Sequence, residues 1–239
     1  MRPLTLWPRE PAPRVAGSAS AGPIAWWKLN ETAGTTAANA AGTNLQGRLQ
    51  GQPHWAPGQS PRAGALEFDG ASNWVEAADS SDLDFREGIT VSAWFKVRDT
   101  NQPAQSLLAK GDAWRLQCQV GRGLLEFALT GPAVTGATQG RLPVVTSKRA
   151  VNDGQWHHVV ATYNGKRLAL YVDGVEEGAL KASGLVVVNN VPLTLGENDA
   201  IRGQLFNGWM QDARLYSRGL SAEEVQTLYK SSSTDRASK

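Results

Sequence analysis

Cysteine is all but missing from this chain. Cys118 stands alone among 239 residues, so no internal disulfide staples the fold. Histidine is nearly as scarce, with three residues, two of them adjacent at His157 and His158. Neighbours on a strand face opposite ways, and His54 is isolated among Pro53, Trp55 and Pro57, which excludes a zinc centre built on them. Neither sign of charge dominates: 24 Lys and Arg against 22 Asp and Glu leave a net +2. That balance, with the basic residues dispersed, lacks the electrostatic footprint that nucleic acid demands. No apolar run approaches the roughly 18 residues of a membrane span, and MRPLTLWPREPAPRVAGSASAGP lacks the apolar centre of a signal peptide. Nucleophile motifs and phosphate loops are missing from the best-patterned segment, Gly154 to Glu176.

What is present is β pattern. Hydrophobic residues make up 41% of the chain, enough for a buried core in one large domain. In GQWHHVVATYNGKRLALYVDGVEE, two period-2 runs are joined by Asn164-Gly165, the strongest short hairpin signal a sequence offers. His157, Val159, Ala161 and Tyr163 share one face; Leu168, Leu170 and Val172 alternate along the next strand, which breaks at Asp173-Gly174. Further strands are expected at 24–29, 65–68, 73–76, 89–97, 107–110, 114–120, 124–129, 144–147, 185–188, 193–196 and 204–216, the last interrupted near Gly208. The stretch 30–62 reads as a polar, Gly-rich excursion. Cys118 alternates with Trp114, Leu116 and Val120 as a buried small hydrophobe.

One helix is expected over 221–230. Ser221 and Glu224 have capping-box spacing, and Leu220 with Val225 the spacing of a hydrophobic staple. Residues 1–22, rich in Pro and Gly, read as a linker. Residues 23–230 form the domain, and 231–239 a disordered tail with nothing to bury. The linker marks a domain taken from a longer, multidomain protein.

The segments IAWWKLNETAG, ALEFDGASNWVEAADSSDLDF, ITVSAWFKV, LLAKGDAWRLQC, GQWHHVVATYNGKRLALYVDGV, LTLGEN and FNGWMQDARLYSRGLSAEEVQTLY, taken in order, resemble the laminin-G-like, concanavalin A-like jelly roll. The resemblance covers Gly22 to about Lys230. It implies an all-β, two-sheet antiparallel jelly-roll sandwich with one short C-terminal helix, and a secreted or cell-surface setting. At Gln211 the sequence departs from an acidic residue typical of the family, so a carboxylate's role there does not carry over.

Glycosidases on this architecture use ExDxE or ExDxxE strands. Here Glu67-Phe68-Asp69 begins that pattern, and Gly70, Ala71 and Ser72 end it, so the carboxylate pair needed for retaining hydrolysis is missing. The acidic run Asp79, Asp82, Asp84, Glu87 lacks the interior glycine of an EF-hand and reads as a solvated loop. The resemblance implies one calcium ion, with Asn30, Glu31 and Asp69 as oxygen donors and Asp212 nearby; Asp69-Gly70 reads equally as a turn.

Nine tryptophans invite a lectin reading, since aromatic faces stack on sugars. Trp27, Trp94, Trp156 and Trp209 fall in strand patterns as core, whereas Trp55, Trp74 and Trp114 border loops. Asn73, Trp74, Lys110, Asp112 and Trp114 are therefore the expected ligand contacts. The function expected is a non-catalytic module binding carbohydrate or protein. A glycan-active enzyme with an unrecognised site and a structural spacer are the alternatives.

Overall fold

The computed structural model describes residues 22–60, 63–98, 104–119, 121–135 and 142–233. Nearly all of the expected linker, Val120 and the end of the expected tail lie outside the described residues. The first strands are β1 (Ala25–Trp27), β2 (Thr36–Ala37), β3 (Gly47–Gln50), β4 (His54–Pro57), β5 (Gly64–Asp69) and β6 (Trp74–Ala77). Then come β7 (Ile89–Val97), β8 (Gln105–Lys110), β9 (Trp114–Cys118), β10 (Leu124–Leu129), β11 (Ala133–Val134) and β12 (Val144–Ala150). The series closes with β13 (His157–Tyr163), β14 (Arg167–Val172), β15 (Val175–Ser183), β16 (Leu193–Leu195), β17 (Asn207–Tyr216) and the helix α1 (Ala222–Ser233).

These strands make two antiparallel sheets. The nine-stranded sheet runs β11-β15-β14-β13-β7-β17-β5-β4, with β1 also paired to β17; the eight-stranded sheet runs β12-β10-β9-β8-β16-β6-β3-β2. Their inner faces meet in one core that includes Trp27, Phe68, Phe95, Phe127, Trp114, Tyr163 and Phe206, the interdigitated arrangement of a jelly-roll sandwich. Strands β7 and β13 are buried along almost their whole length because α1 covers their outer side. There Val225 and Leu228 pack with Val160, Ala169, Tyr171, Tyr216 and Leu220. Both expected devices start the helix: Ser221 N donates to Glu224 Oε2 at 2.8 Å, and Glu224 N to Ser221 Oγ at 3.3 Å, while the staple residues Leu220 and Val225 are buried.

The Asn164-Gly165 hairpin forms with Gly165 and Lys166 at its tip, Asn164 N donating to Arg167 O at 3.3 Å. Only Gly165 has positive φ, 82°, and Asn164 Oδ1 accepts from Lys166 N and Arg167 N at 3.1 and 2.9 Å. The asparagine thus closes the turn with its side chain. His157 and His158 do face opposite ways. His157 packs on Phe95 and bonds Asp173 and Asp153 at 2.9 and 3.0 Å, and His158 forms a three-ring cluster with Trp94 and Tyr229 beneath α1. Burial pushes the His158 imidazole down to about 3, with Arg214 adding to the effect.

Four expectations need correction. The excursion 30–62 contains β2, β3 and β4, short strands with few inward apolar side chains. Residues 185–188 are not a strand: Val186 N bonds Arg86 O and Val187 N bonds Thr130 O, two unrelated segments rather than one ladder. The helix continues through 231–233 into the expected tail. In β17 the irregularity lies between Gln211 and Arg214, not at Gly208, and this displacement builds the site below.

Candidate functional site

A β-bulge inserts an extra residue and turns two consecutive side chains to one side. In β17, Asp212 takes φ 54°, so Gln211 and Arg214 both face outward while Met210, Ala213 and Leu215 stay in the core. β1 lies against this bulge, with Trp26 opposite Arg214 and Trp27 opposite Ala213. Since neighbours on a strand diverge, Trp27 enters the core and Trp26 turns outward.

The groups so gathered line a cleft of about 480 Å³ between the outer face of the nine-stranded sheet, the end of α1 and the chain near Gln59. Its floor holds an electrostatic unit. Trp26 Nε1 donates to Asp212 Oδ1 at 2.5 Å, and Arg214 Nε and Nη2 donate to the two Asp212 oxygens at 2.9 Å each. The Lys28 ammonium and Arg214 guanidinium lie 4.8 and 4.3 Å from the Trp26 ring centroid, within cation–π range. Burial pushes the Asp212 carboxyl above its ordinary range, against the opposing pull of Arg214 and Trp26.

The walls are polar. Gln211 Oε1 accepts from Gln59 N at 2.8 Å, and a side chain at Gly58 would run into that amide. Gln211 therefore works as a clip for the 58–60 segment, a task that needs no charge. Ser60 Oγ is buried with no hydrogen-bond partner. Ser231 and Ser232 close the helix side, Ser232 Oγ accepting from Trp94 Nε1 at 2.9 Å. Asn30 stands exposed at the rim, near Gly64, where a side chain would meet its Cα at 2.6 Å.

A family model described as the concanavalin A-like lectin/glucanases superfamily matches residues 69–226. The chain belongs to that superfamily. No curated protein matches it in sequence. Among solved structures, the binding domain of Paraclostridial Mosquitocidal Protein 1 is similar at TM-score 0.64 and 15% identity, over 81% of this chain and 49% of that one. The binding domain of botulinum neurotoxin serotype D/C is similar at TM-score 0.67 and 16% identity, over 87% of this chain and 52% of that one. Identity this low establishes a shared fold, and this superfamily member spans about half the length of those chains.

Within this lectin-like frame the expected ligand residues scatter. Trp74 is half-buried on the outer face of the other sheet, with the Arg202 guanidinium 5.5 Å from its ring centroid. Asn73, expected beside it as a contact, is 2% exposed and accepts from Asp69 N at 3.0 Å. Trp114, expected at a loop, is 1% exposed in the core against Phe85. Lys110 is also buried, its ammonium donating to Asp79 Oδ1 at 2.7 Å, Asn189 O and Oδ1 at 3.1 Å each, and Val191 O at 2.5 Å. Asp112 is exposed and accepts from Asn189 Nδ2 at 2.7 Å. Lys110 is buried because of a bulge between Ser106 and Leu108, which turns Leu107 and Leu108 both inward and carries Lys110 to the inner row opposite Trp114; Trp114 is inward by alternation with Leu116 and Cys118 on its own strand.

The expected metal donors do not converge. Asn30 and Glu31 lie by Gly64, and Asp69 ends the same strand, about 17 Å away at strand rise. Asp69 accepts from Ala71 N and Ser72 N at 2.8 Å and Ser72 Oγ at 2.6 Å, as a turn residue does. Glu31 Oε1 accepts from Ala38 N at 2.8 Å. Among the described residues, no group of three His, Cys, Asp or Glu is placed to hold a metal. Asp212 does share the cleft with Asn30, but its oxygens are taken by Arg214 and Trp26.

Trp26 is not among the residues the strand pattern singles out, and that pattern places Trp209 and Trp156 in the core. Trp209 faces outward from β17, and Trp156 is half-buried just before β13. The signal for Trp26 was the Trp26-Trp27 pair itself, since one of two neighbours on a strand must leave the core.

Proposed function

We propose that the chain is a non-catalytic carbohydrate-binding module and that its sugar sits in the Trp26 cleft. The observation that carries this reading is an outward tryptophan in a cleft of about 480 Å³ whose other walls are amide, hydroxyl and charged groups. That volume falls within the range of small-ligand sites, and an aromatic body ringed by a few polar groups suits a sugar's mixed surface. Among the described residues Asp212 is the one carboxylate lining the cleft, and it is committed to Arg214 and Trp26. Glycoside hydrolysis needs two carboxyl groups, about 5–9.5 Å apart.

The neighbours support the carbohydrate reading at the level of fold. One botulinum neurotoxin binding domain was solved with SialylT, and for type C the reported cell entry depends on two ganglioside molecules. On this reading the module serves a larger secreted or cell-surface protein.

The test is calorimetry with neutral and acidic sugars on the wild type and Trp26→Ala. Loss of the aromatic anchor should weaken binding by about 2 kcal/mol, roughly thirtyfold. Unchanged affinity in Trp26→Ala, or capture of a protein ligand with every sugar refused, would overturn the assignment.

A further inference from the structure

Beyond Gln211, the next outward position on β17 is Trp209, about 7 Å along the strand. Its register neighbours are Lys96 on β7 and Glu67 on β5. The Lys96 ammonium lies 5.3 Å and the Arg98 guanidinium 4.2 Å from the Trp209 ring centroid. Glu67 engages Arg98 and, at 3.2 Å, His54.

This cluster repeats the composition of the cleft floor. Each unit has one outward tryptophan, one arginine held by a carboxylate (Arg214 by Asp212, Arg98 by Glu67) and one lysine over the ring. Neither Lys28 nor Lys96 enters an ion pair among the described residues. A neutral sugar needs the ring and hydrogen bonds but no ammonium. Two ammonium groups outside any ion pair among the described residues, one beside the Trp26 ring on β1 and one beside the Trp209 ring on the adjoining β17, match a ligand that repeats both a sugar face and a negative charge.

We propose that the chain binds an acidic oligosaccharide of the hexuronate type, with one acidic sugar in the Trp26 cleft and a further one on Trp209 and Lys96. This rests on the carbohydrate reading of the cleft and adds the substrate's charge and extent. Both rings are half-buried rather than projecting, which favours a ligand lying along the sheet over insertion into a lipid surface.

The experiment titrates galacturonate monomer, trimer and hexamer, the methyl-esterified hexamer, and phosphatidylserine vesicles against the wild type, Lys28→Ala, Lys96→Ala and Trp209→Ala. The hexamer should bind about tenfold or more tighter than the monomer, because a second contact becomes intramolecular. Lys96→Ala and Trp209→Ala should remove that gain and leave monomer affinity unchanged, Lys28→Ala should weaken both, and esterification should abolish the gain. Equal affinity for monomer and hexamer, a length gain untouched in Lys96→Ala, or binding to vesicles alone would overturn the proposal. Binding of neutral sugars at Trp26 with every uronate refused would overturn it too, while leaving the carbohydrate reading of the cleft standing.

Discussion

The outer face of the nine-stranded sheet carries a helix, a clipped segment and a cleft, whereas that of the eight-stranded sheet carries a row of cross-strand neighbours in which Thr194, Ala109 and Ala128 are themselves buried. The row runs Arg48, Glu76, Thr194, Ala109, Arg115 and Ala128 across six adjacent strands. Alternation builds both faces, and both present a tryptophan. On that face polar groups turn to one another: Glu126 takes Gln117 Nε2 at 3.3 Å and Gln119 Nε2 at 2.7 Å, with Arg115 at 3.7 Å. Trp74 lies under Arg202. On the other face, α1 and Gln59 stand above the sheet and hold Trp26 at the bottom of a walled space. Concavity here comes from what is laid on a sheet, and a bulge decides which side chains point into it.

The strongest way to break this comparison uses adjacent residues. Trp27 is fully buried and donates Nε1 to Leu45 O at 2.9 Å, so Trp27→Ala should cost about 3–5 kcal/mol of stability. Trp26→Ala should cost about 1 kcal/mol, because Asp212 keeps Arg214 as a donor, while removing most sugar binding. Trp74→Ala should change neither strongly. Urea unfolding and calorimetry on the three variants check the split; a Trp74→Ala variant that loses binding while Trp26→Ala retains it would move the site to the outer face of the eight-stranded sheet.

A smaller effect concerns His157, at the start of β13. Its bond to Asp173 raises its pKa, burial acts the other way, and the bond to Asp153 adds to the rise. A folded value above the unfolded one of about 6.5 means the contribution is complete below about pH 6.5 and is lost as pH rises through the folded value. For Asp173, burial raises the pKa, but His157 and the His158 backbone N–H outweigh it and the net shift is downward. Its contribution is lost only as pH falls through that lowered value, under about pH 4. The melting temperature should therefore drop as pH rises above about 6.5, and His157→Gln should flatten the drop. Parallel profiles for the two proteins would show that the cluster is not the source.

Regular local signals made most of the sandwich legible in the sequence. Period-2 runs marked β7, β13 and β14, and the capping box marked α1. The site was legible only in fragments, because bulges break the parity on which such reading depends. One at Asp212 put Gln211, Asp212 and Arg214 together on the outer face, and one at Ser106–Leu108 sent Lys110 inward. A single-residue shift exchanges faces, so Lys110 was expected on the wrong side, whereas the alternation of Trp114 with Leu116 and Cys118 already pointed it inward. Strands β2 to β4 were missed because their few inward residues leave no run long enough to alternate. Ser231 and Ser232 carry no apolar signal, yet they wall the cleft because the helix outlasts its apolar stripe.

The smallest expected effect is that of calcium, and it sharpens the contrast between a turn and a site. An ion held only by the folded state would stabilise it by about 2.7 kcal/mol at a hundredfold excess over Kd. Asp69 is occupied otherwise. Burial would raise its carboxyl pKa, but the Ser72 hydroxyl and the backbone N–H groups of Ser72, Ala71 and Asn73 lower it instead, stabilising the anion much as a cation would. Asn30 and Glu31 lie at the other end of β5, too distant to complete a shell whose oxygens stand about 2.3–2.6 Å from the ion. Melting curves in calcium and in EDTA should coincide, and Asp69→Asn should lower the melting temperature equally in both. A calcium-dependent rise that disappears in Asp69→Asn would restore the loop-oxygen site and show that β5 carries a ligand at its Asp69 end as well as bordering the cleft.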